Sequence, residues 1–145
     1  MVEVPAAALK TRVLAPHVDL LSIGTNDLVQ YALAAERGSP ALTRLADPYD
    51  PGVLRLVDAV CRDRGEALVA VCGELAADPR AAALLVGLGV RELSCAPAAV
   101  PSVKEAVRAV DDAGAAAVAA AALDASGPEQ VRELLATAAG PPASR

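Results

Sequence analysis

The chain lacks phenylalanine and tryptophan altogether, and its 145 residues include only two tyrosines, one methionine and one histidine. A core without large rings has to be built from Ala, Val and Leu, whose small volumes favour close contact of helix on sheet. Positive charge is also in short supply. Thirteen Lys and Arg against 18 Asp and Glu leave a net charge of −5, which argues against a general nucleic-acid or anionic-membrane surface. No apolar run approaches the ~20 residues of a membrane span, and the Ala-rich stretch Ala115 to Leu123 stops at Asp124. No basic segment followed by an apolar one opens the chain, so no secretory signal is expected. The three cysteines, at 61, 72 and 95, are odd in number and set among apolar neighbours. Reduced thiols in a cytoplasm fit this better than a disulfide framework. There is no Cys-x-x-Cys pair and His17 stands alone, so nothing suits a zinc site.

What the chain does have is alternation. Apolar strand-like runs at Val2 to Val4, Val18 to Ile23, Ala67 to Cys72 and Arg91 to Cys95 are separated by helical patterns. The helices are expected at Ala6 to Val13, Asp27 to Ala35, Val53 to about Gly65, from Pro79 through Leu85, and Val103 to Val110. In the third, Val53, Leu54, Leu56, Val57, Val60 and Cys61 share one face. Asp78-Pro79 supplies an N-cap and a proline at the first helical position. A loop containing Pro and Gly runs from Arg37 to Pro51. Successive βα units predict parallel strands. Four strands do not close a barrel, but they can form part of one. From residue 111 onward the character changes to Ala-rich helix, a restart at Ser126-Gly127-Pro128-Glu129 and a frayed end from Gly140 to Arg145. The chain is therefore divided into an α/β portion, 1–110, and a helical tail, 111–145.

The segment Ser22-Ile23-Gly24-Thr25-Asn26-Asp27-Leu28 carries the most chemistry. A buried strand ends in a glycine that permits close backbone approach, and an amide and a carboxylate follow where a helix begins. A helix N-terminus offers N–H groups to an anion, and Asp27 is a suitable oxygen donor for Mg²⁺. These are the needs of a phosphorylated, metal-bound substrate. Ala67 to Glu74 repeats the plan, with Cys72 and Glu74 at the strand end. Taken singly, each residue has a structural reading. Glu3 suits a solvated terminus, Asp27 a helix cap and Asn26 a turn. Arg37 suits a surface ion pair beside Glu36, and Cys72 a small buried hydrophobe. Glu74 orients the site or pairs with a base. Cys61 on a helical core face and Cys95 at a strand end read as structural.

Met1-Val2-Glu3-Val4-Pro5-Ala6-Ala7, Ser22 to Tyr31, Glu36-Arg37-Gly38 and Cys72-Gly73-Glu74-Leu75-Ala76 together resemble the C-terminal part of the phosphoenolpyruvate-utilising enzymes. Within that family the pattern is most similar to Enzyme I, the phosphoenolpyruvate–protein phosphotransferases of bacterial sugar uptake, over about residues 1–110. The Gln30-Tyr31 pair, Ala35 to Gly38 and Leu75-Ala76 favour it over the dikinase and synthase siblings. The resemblance implies the last three to four βα units of a phosphoenolpyruvate-binding (β/α)8 TIM barrel followed by C-terminal helices, with a site at the C-terminal strand ends. It implies a phosphotransferase activity in which Glu3 and Asp27 hold Mg²⁺ and Asn26 and Arg37 contact the phosphoryl group. Cys72 protonates the enolate as pyruvate forms, and free thiols, titrating near ~8.5, keep a proton to give at neutral pH.

The implied partners are phosphoenolpyruvate and pyruvate, a downstream phosphocarrier protein and a second copy of the enzyme, in a cytoplasmic setting without nucleic acid or membrane. The family's phosphorylated histidine and earlier barrel strands do not appear here, and His17 has no phosphohistidine motif around it. The chain is therefore expected to be the terminal piece of a larger enzyme, completed in cis or in trans and inactive by itself. The alternatives are a non-catalytic remnant or a dimerisation or partner-binding module that keeps the motifs by descent, and a fragment of a pyruvate phosphate dikinase- or phosphoenolpyruvate synthase-type enzyme.

Overall fold

The computed structural model describes residues 1–36, 42 and 45–138. Arg37, much of the expected 37–51 loop and the expected frayed end at 140–145 lie outside the described residues.

Three strands, β1 (Leu20–Gly24), β2 (Leu68–Cys72) and β3 (Glu92–Ser94), form a sheet in the order β1-β2-β3. All pairings are parallel, with Gly24 opposite Cys72 and Cys72 opposite Ser94. Before β1 come α1 (Pro5–Leu9) and α2 (Thr11–Leu14); between the strands run α3 (Thr25–Ala32), α4 (Pro51–Asp63), α5 (Glu74–Ala77) and α6 (Ala82–Gly87). After β3 come α7 (Val100–Arg108), α8 (Asp112–Leu123) and α9 (Pro128–Ala138). The alternation legible in the sequence is thus a parallel α/β layer structure.

The expected first strand is reduced to a single bridge of Val2 to Ile23. Val2 donates to the Ser22 carbonyl at 2.7 Å and accepts from Gly24 N–H at 3.0 Å. The chain then enters α1 at Pro5, whose missing N–H ends any ladder. The expected helix 6–13 is also two short pieces. The buried Thr11 hydroxyl donates to the Ala8 carbonyl at 2.8 Å, a back-bond of the kind that bends helices, and Lys10 breaks the run at φ −103° and ψ 11°. α3 starts two residues earlier than expected, directly off the strand, and stops at Ala32, because Ala34 adopts a left-handed φ of 51°.

One face of the sheet carries the core. Leu21 and Ile23 of β1 and Val69 and Val71 of β2 are buried in one hydrophobic cluster with Leu54, Val57, Val60 and Cys61 of α4, part of the predicted apolar stripe. Each fully buried Val, Leu or Ile contributes about 1.5–3 kcal/mol. Asp50 caps α4 by accepting from Gly52 N–H at 2.7 Å. Asp78 caps the Pro79–Ala81 turn as expected, accepting from Arg80 N–H at 2.9 Å.

The alanine-rich α8 packs on α6 through Ala115 and Ala119, and with α9 it adds Ala119, Ala122, Val131 and Leu135 to the core. The approach is very close: a Cβ on Gly87 would lie 2.0 Å from the Ala115 carbonyl oxygen. Backbone cannot yield as a flexible side chain does, so Gly87→Ala is expected to push α8 off α6 and cost about 2–3 kcal/mol. Thermal unfolding checks this, with Gly127→Ala as the control, since nothing lies within 4 Å of a Cβ there. Equal melting temperatures in the two variants would refute the close packing.

Candidate active site

Because the strands are parallel, their C-terminal ends meet on one side of the layer. Strand alternation puts Ser22 and Gly24 on the sheet face opposite the core, beside Cys72 of β2 and Ser94 of β3. Val2 takes the core side, so Glu3 emerges on the other and reaches over the end of β1. A Cβ at Gly24 would stand 2.7 Å from Glu3 Cγ and 2.8 Å from its Oε1. The glycine is what lets a carboxylate rest on the strand end. Asn26 and Asp27 follow at once in the first turn of α3, each half-buried.

The two strand ends are laced together. The hydroxyl of Thr25, 1% exposed, donates to the Cys72 carbonyl at 2.8 Å. The Glu74 N–H donates to Asn26 Oδ1 at 3.2 Å. A backbone N–H can only donate, so this bond assigns the amide oxygen to Glu74 and leaves the Asn26 NH₂ as a donor. Gly73 lies between these contacts with φ 101°, and a Cβ there would fall 2.7 Å from Thr25 Oγ1 and 2.9 Å from Asn26 Oδ1. No other residue type suits that backbone and that space. The half-buried Cys72 closes β2, with the Ser22 hydroxyl donating toward its Sγ at 3.9 Å.

A cleft of about 530 Å³ opens over Asn26, Gly73, Glu74, Ala77, Ser94, Cys95 and Ala96. That is within the range of small-molecule sites, about 300–1,000 Å³. A smaller recess of about 110 Å³ lies where Asn26 and Glu74 meet Ala46 and Pro48. The segment behind that recess is held by a polar cluster. Arg132 of α9 binds both Asp47 carboxylate oxygens at 2.7 and 2.8 Å and stands 5.0 Å from the Tyr49 ring centroid. The Tyr49 hydroxyl donates to Asp78 at 2.8 Å, and burial together with that carboxylate raises the phenol's pKa. Burial pushes Asp78 up, but bonds from Arg80 and Tyr49 outweigh it and hold its carboxyl below the usual range.

Glu3, Asn26, Asp27 and Cys72 therefore all stand at the C-terminal end of the sheet; Arg37 lies outside the described residues. The Glu74 carboxylate is exposed, and it is the Glu74 backbone that touches Asn26. Cys61 is a core thiol, its pKa pushed up to about 12 by burial and by Asp58. Cys95, read as structural, lines the cleft of about 530 Å³, whereas Cys72 is not among its lining residues. Thr25, Gly73 and Ser94 were not singled out from the sequence. For Gly73 the signal was present: like Gly24, it sits at a strand end just before a helix.

Among the described residues no group of three or more His, Cys, Asp or Glu has the arrangement of a metal site. Mg²⁺, however, takes only one or two carboxylates and fills its shell with water and substrate phosphate. Glu3, laid over Gly24, and Asp27 in the adjoining turn are hard oxygen donors of the kind such an ion takes. No helix among the described residues is long and apolar enough to cross a membrane.

Parallel strands with acids, an amide and a thiol at their C-terminal ends place the chain in the α/β class. Residues 1–112 match the family described as "PEP-utilising enzyme, PEP-binding domain", and the chain belongs to that family. The chain is 50% identical over 137 residues to the phosphoenolpyruvate-protein phosphotransferase of Haloferax volcanii, covering 93% of this chain and 24% of that protein. The protein of the same name from Haemophilus influenzae is 41% identical over 138 residues, covering 93% of this chain and 24% of the relative. A multiphosphoryl transfer protein of Xanthomonas campestris is 46% identical over 136 residues, with 92% of this chain and 16% of the relative covered. The chain thus spans about a quarter or less of the length of these relatives.

Proposed function

We propose that this chain provides the closing βα units of a phosphoenolpyruvate-binding (β/α)8 barrel in a phosphoenolpyruvate–protein phosphotransferase. The observation that carries the reading is the family match over residues 1–112 to a domain whose strand ends here bear Glu3, Asn26, Asp27 and Cys72. The open sheet face supports it as well. Leu20 and Leu68, opposite each other in the ladder, are 46% and 41% exposed, as expected of residues that further barrel strands would cover.

In this reading Glu3 and Asp27 hold Mg²⁺, which when bound offsets the negative charge of the substrate. The Asn26 NH₂ and the Arg37 guanidinium bind phosphoryl oxygens. Phosphoryl transfer is largely a matter of such positioning and charge stabilisation. The bond from phosphorus to the enol oxygen breaks and the phosphoryl group passes to a histidine nitrogen in another segment of the enzyme. The enolate left behind takes a proton at its methylene carbon from the Cys72 thiol, and the thiolate regains one from water. The phosphohistidine then serves a phosphocarrier protein in the cytoplasm, and the enzyme works as a dimer.

The reading is tested with the complete enzyme at saturating Mg²⁺. Arg37→Lys keeps the charge but loses the planar two-point grip on phosphate oxygens, so phosphotransfer is expected to fall by about 10–100-fold, the scale of a displaced substrate, with an unchanged melting temperature. Wild-type kinetics in this variant would remove Arg37 from the site.

A further inference from the structure

We infer that Thr25 is a positioning residue for Cys72, its buried hydroxyl holding the proton donor's backbone in place across the β1–β2 strand ends. The inference rests on the proposed role of Cys72. Thr25 is 47 residues from Cys72 in sequence, yet its Oγ1 lies 2.8 Å from the Cys72 carbonyl oxygen, and the residue is only 1% exposed. A buried hydroxyl is costly unless it is paired, and here its partner is the last residue of β2. The geometry around the bond is fitted to it. Gly73 leaves the strand at φ 101°, and the space a side chain would need there is filled by Thr25 Oγ1 itself, 2.7 Å from an ideal Cβ. Asn26 makes the parallel tie to Glu74 N–H at 3.2 Å. The turn that presents Asn26 and the turn that follows Cys72 are therefore one clasp, with Thr25 at its buried end. Any slackening there moves the thiol relative to the carboxylates, Glu3 over the end of β1 and Asp27 in the first turn of α3.

Thr25→Val keeps the shape and removes the hydroxyl. In the complete enzyme it is expected to lower kcat for pyruvate release about 10–100-fold, the scale of a sub-ångström to ångström misplacement, with KM for phosphoenolpyruvate within about twofold of wild type, a split that a donor-specific displacement requires. Thr25→Ser, which restores the hydroxyl, should recover most of the rate. Thr25→Ala, too small to clash, should behave as the valine variant does. A readout free of turnover uses the 145-residue chain itself. Iodoacetamide labelling, mapped by peptide mass, should modify Cys72 about fivefold faster in Thr25→Val and Thr25→Ala, the factor one lost hydrogen bond allows in local opening, with Cys95 unchanged.

A purely structural tie would lower the melting temperature and leave kcat, the serine rescue and the Cys72 labelling rate unmoved; that result overturns the inference. Cys72→Ala, run alongside, separates the levels. If it slows turnover while Thr25→Val does not, the inference alone fails. If Cys72→Ala itself is as fast as wild type, the role of Cys72 fails and the inference falls with it.

Discussion

Replacing Cys72 by alanine is expected to slow pyruvate formation about 10²–10⁴-fold, the range for loss of a general acid, while Mg²⁺ and phosphoenolpyruvate still bind. The separation of rate from stability is what makes the result informative. Cys72 is the last residue of β2 and only half-buried, on the sheet face away from the core. Removing its sulfur leaves a small space near solvent, so the loss of stability should be on the order of 1 kcal/mol or less. The other two thiols bracket this environment. Cys61 is packed in the α4 stripe, where its alanine variant should lower stability and leave the rate alone. Cys95 lines the cleft beside Ser94, so Cys95→Ala is the stricter control: it alters the wall without removing the proposed acid. Rates for all three variants, measured with unfolding midpoints, check the assignment. If Cys72→Ala matches Cys61→Ala and Cys95→Ala in rate, the thiol is structural.

Asp27→Asn should abolish the stabilisation that Mg²⁺ and phosphoenolpyruvate confer together. A ligand bound only by the folded state adds RT ln(1 + [L]/Kd), about 2.7 kcal/mol at 100 times Kd, and the wild-type complete enzyme should show a rise in melting temperature of that origin. Asparagine is close to isosteric and keeps an oxygen, but a neutral amide is a poor partner for a hard dication. The ligand-free enzyme is expected to lose at least the about 0.3–1 kcal/mol that an acid in the first turn of a helix such as α3 is worth. Differential scanning calorimetry with and without both ligands measures this. A ligand-induced rise of wild-type size in Asp27→Asn would remove the carboxylate from the metal site.

The strands β1 and β2 were legible as apolar runs because a strand buried on its core face needs Leu21, Ile23, Val69 and Val71 whatever else happens. The cap at Asp78 and the stripe on α4 were legible for the same local reason. What was not legible depends on partners far apart in the chain. Val2 to Val4 has strand composition, but only Val2 finds a ladder partner before Pro5 turns the chain into α1. The Lys10 break is a local exception, sitting beside a Thr11 hydroxyl that bonds the Ala8 carbonyl. The motif residues Asn26, Asp27 and Cys72 were readable as chemistry, whereas the Thr25 bond to Cys72 and the Asn26 bond to Glu74 join residues 47 and 48 positions apart. Alanine content announced helix in the tail. It did not reveal that Gly87 admits the Ala115 backbone, or that Arg132 pins Asp47 beside the small recess.

The direct measurement is pyruvate release from phosphoenolpyruvate with Mg²⁺ present, using this chain and the preceding part of its enzyme, separately and together. Under the proposed function each part alone should be silent, because that reading puts the acceptor histidine and the earlier strands in one and Glu3, Asp27 and Cys72 in the other. Combined in trans or fused, they should release pyruvate and carry phosphohistidine, and Cys72→Ala should remove the pyruvate signal. Release at the full rate from the preceding part alone, or undiminished release from the combination with both Asp27 and Cys72 replaced, would contradict a site built on these strand ends.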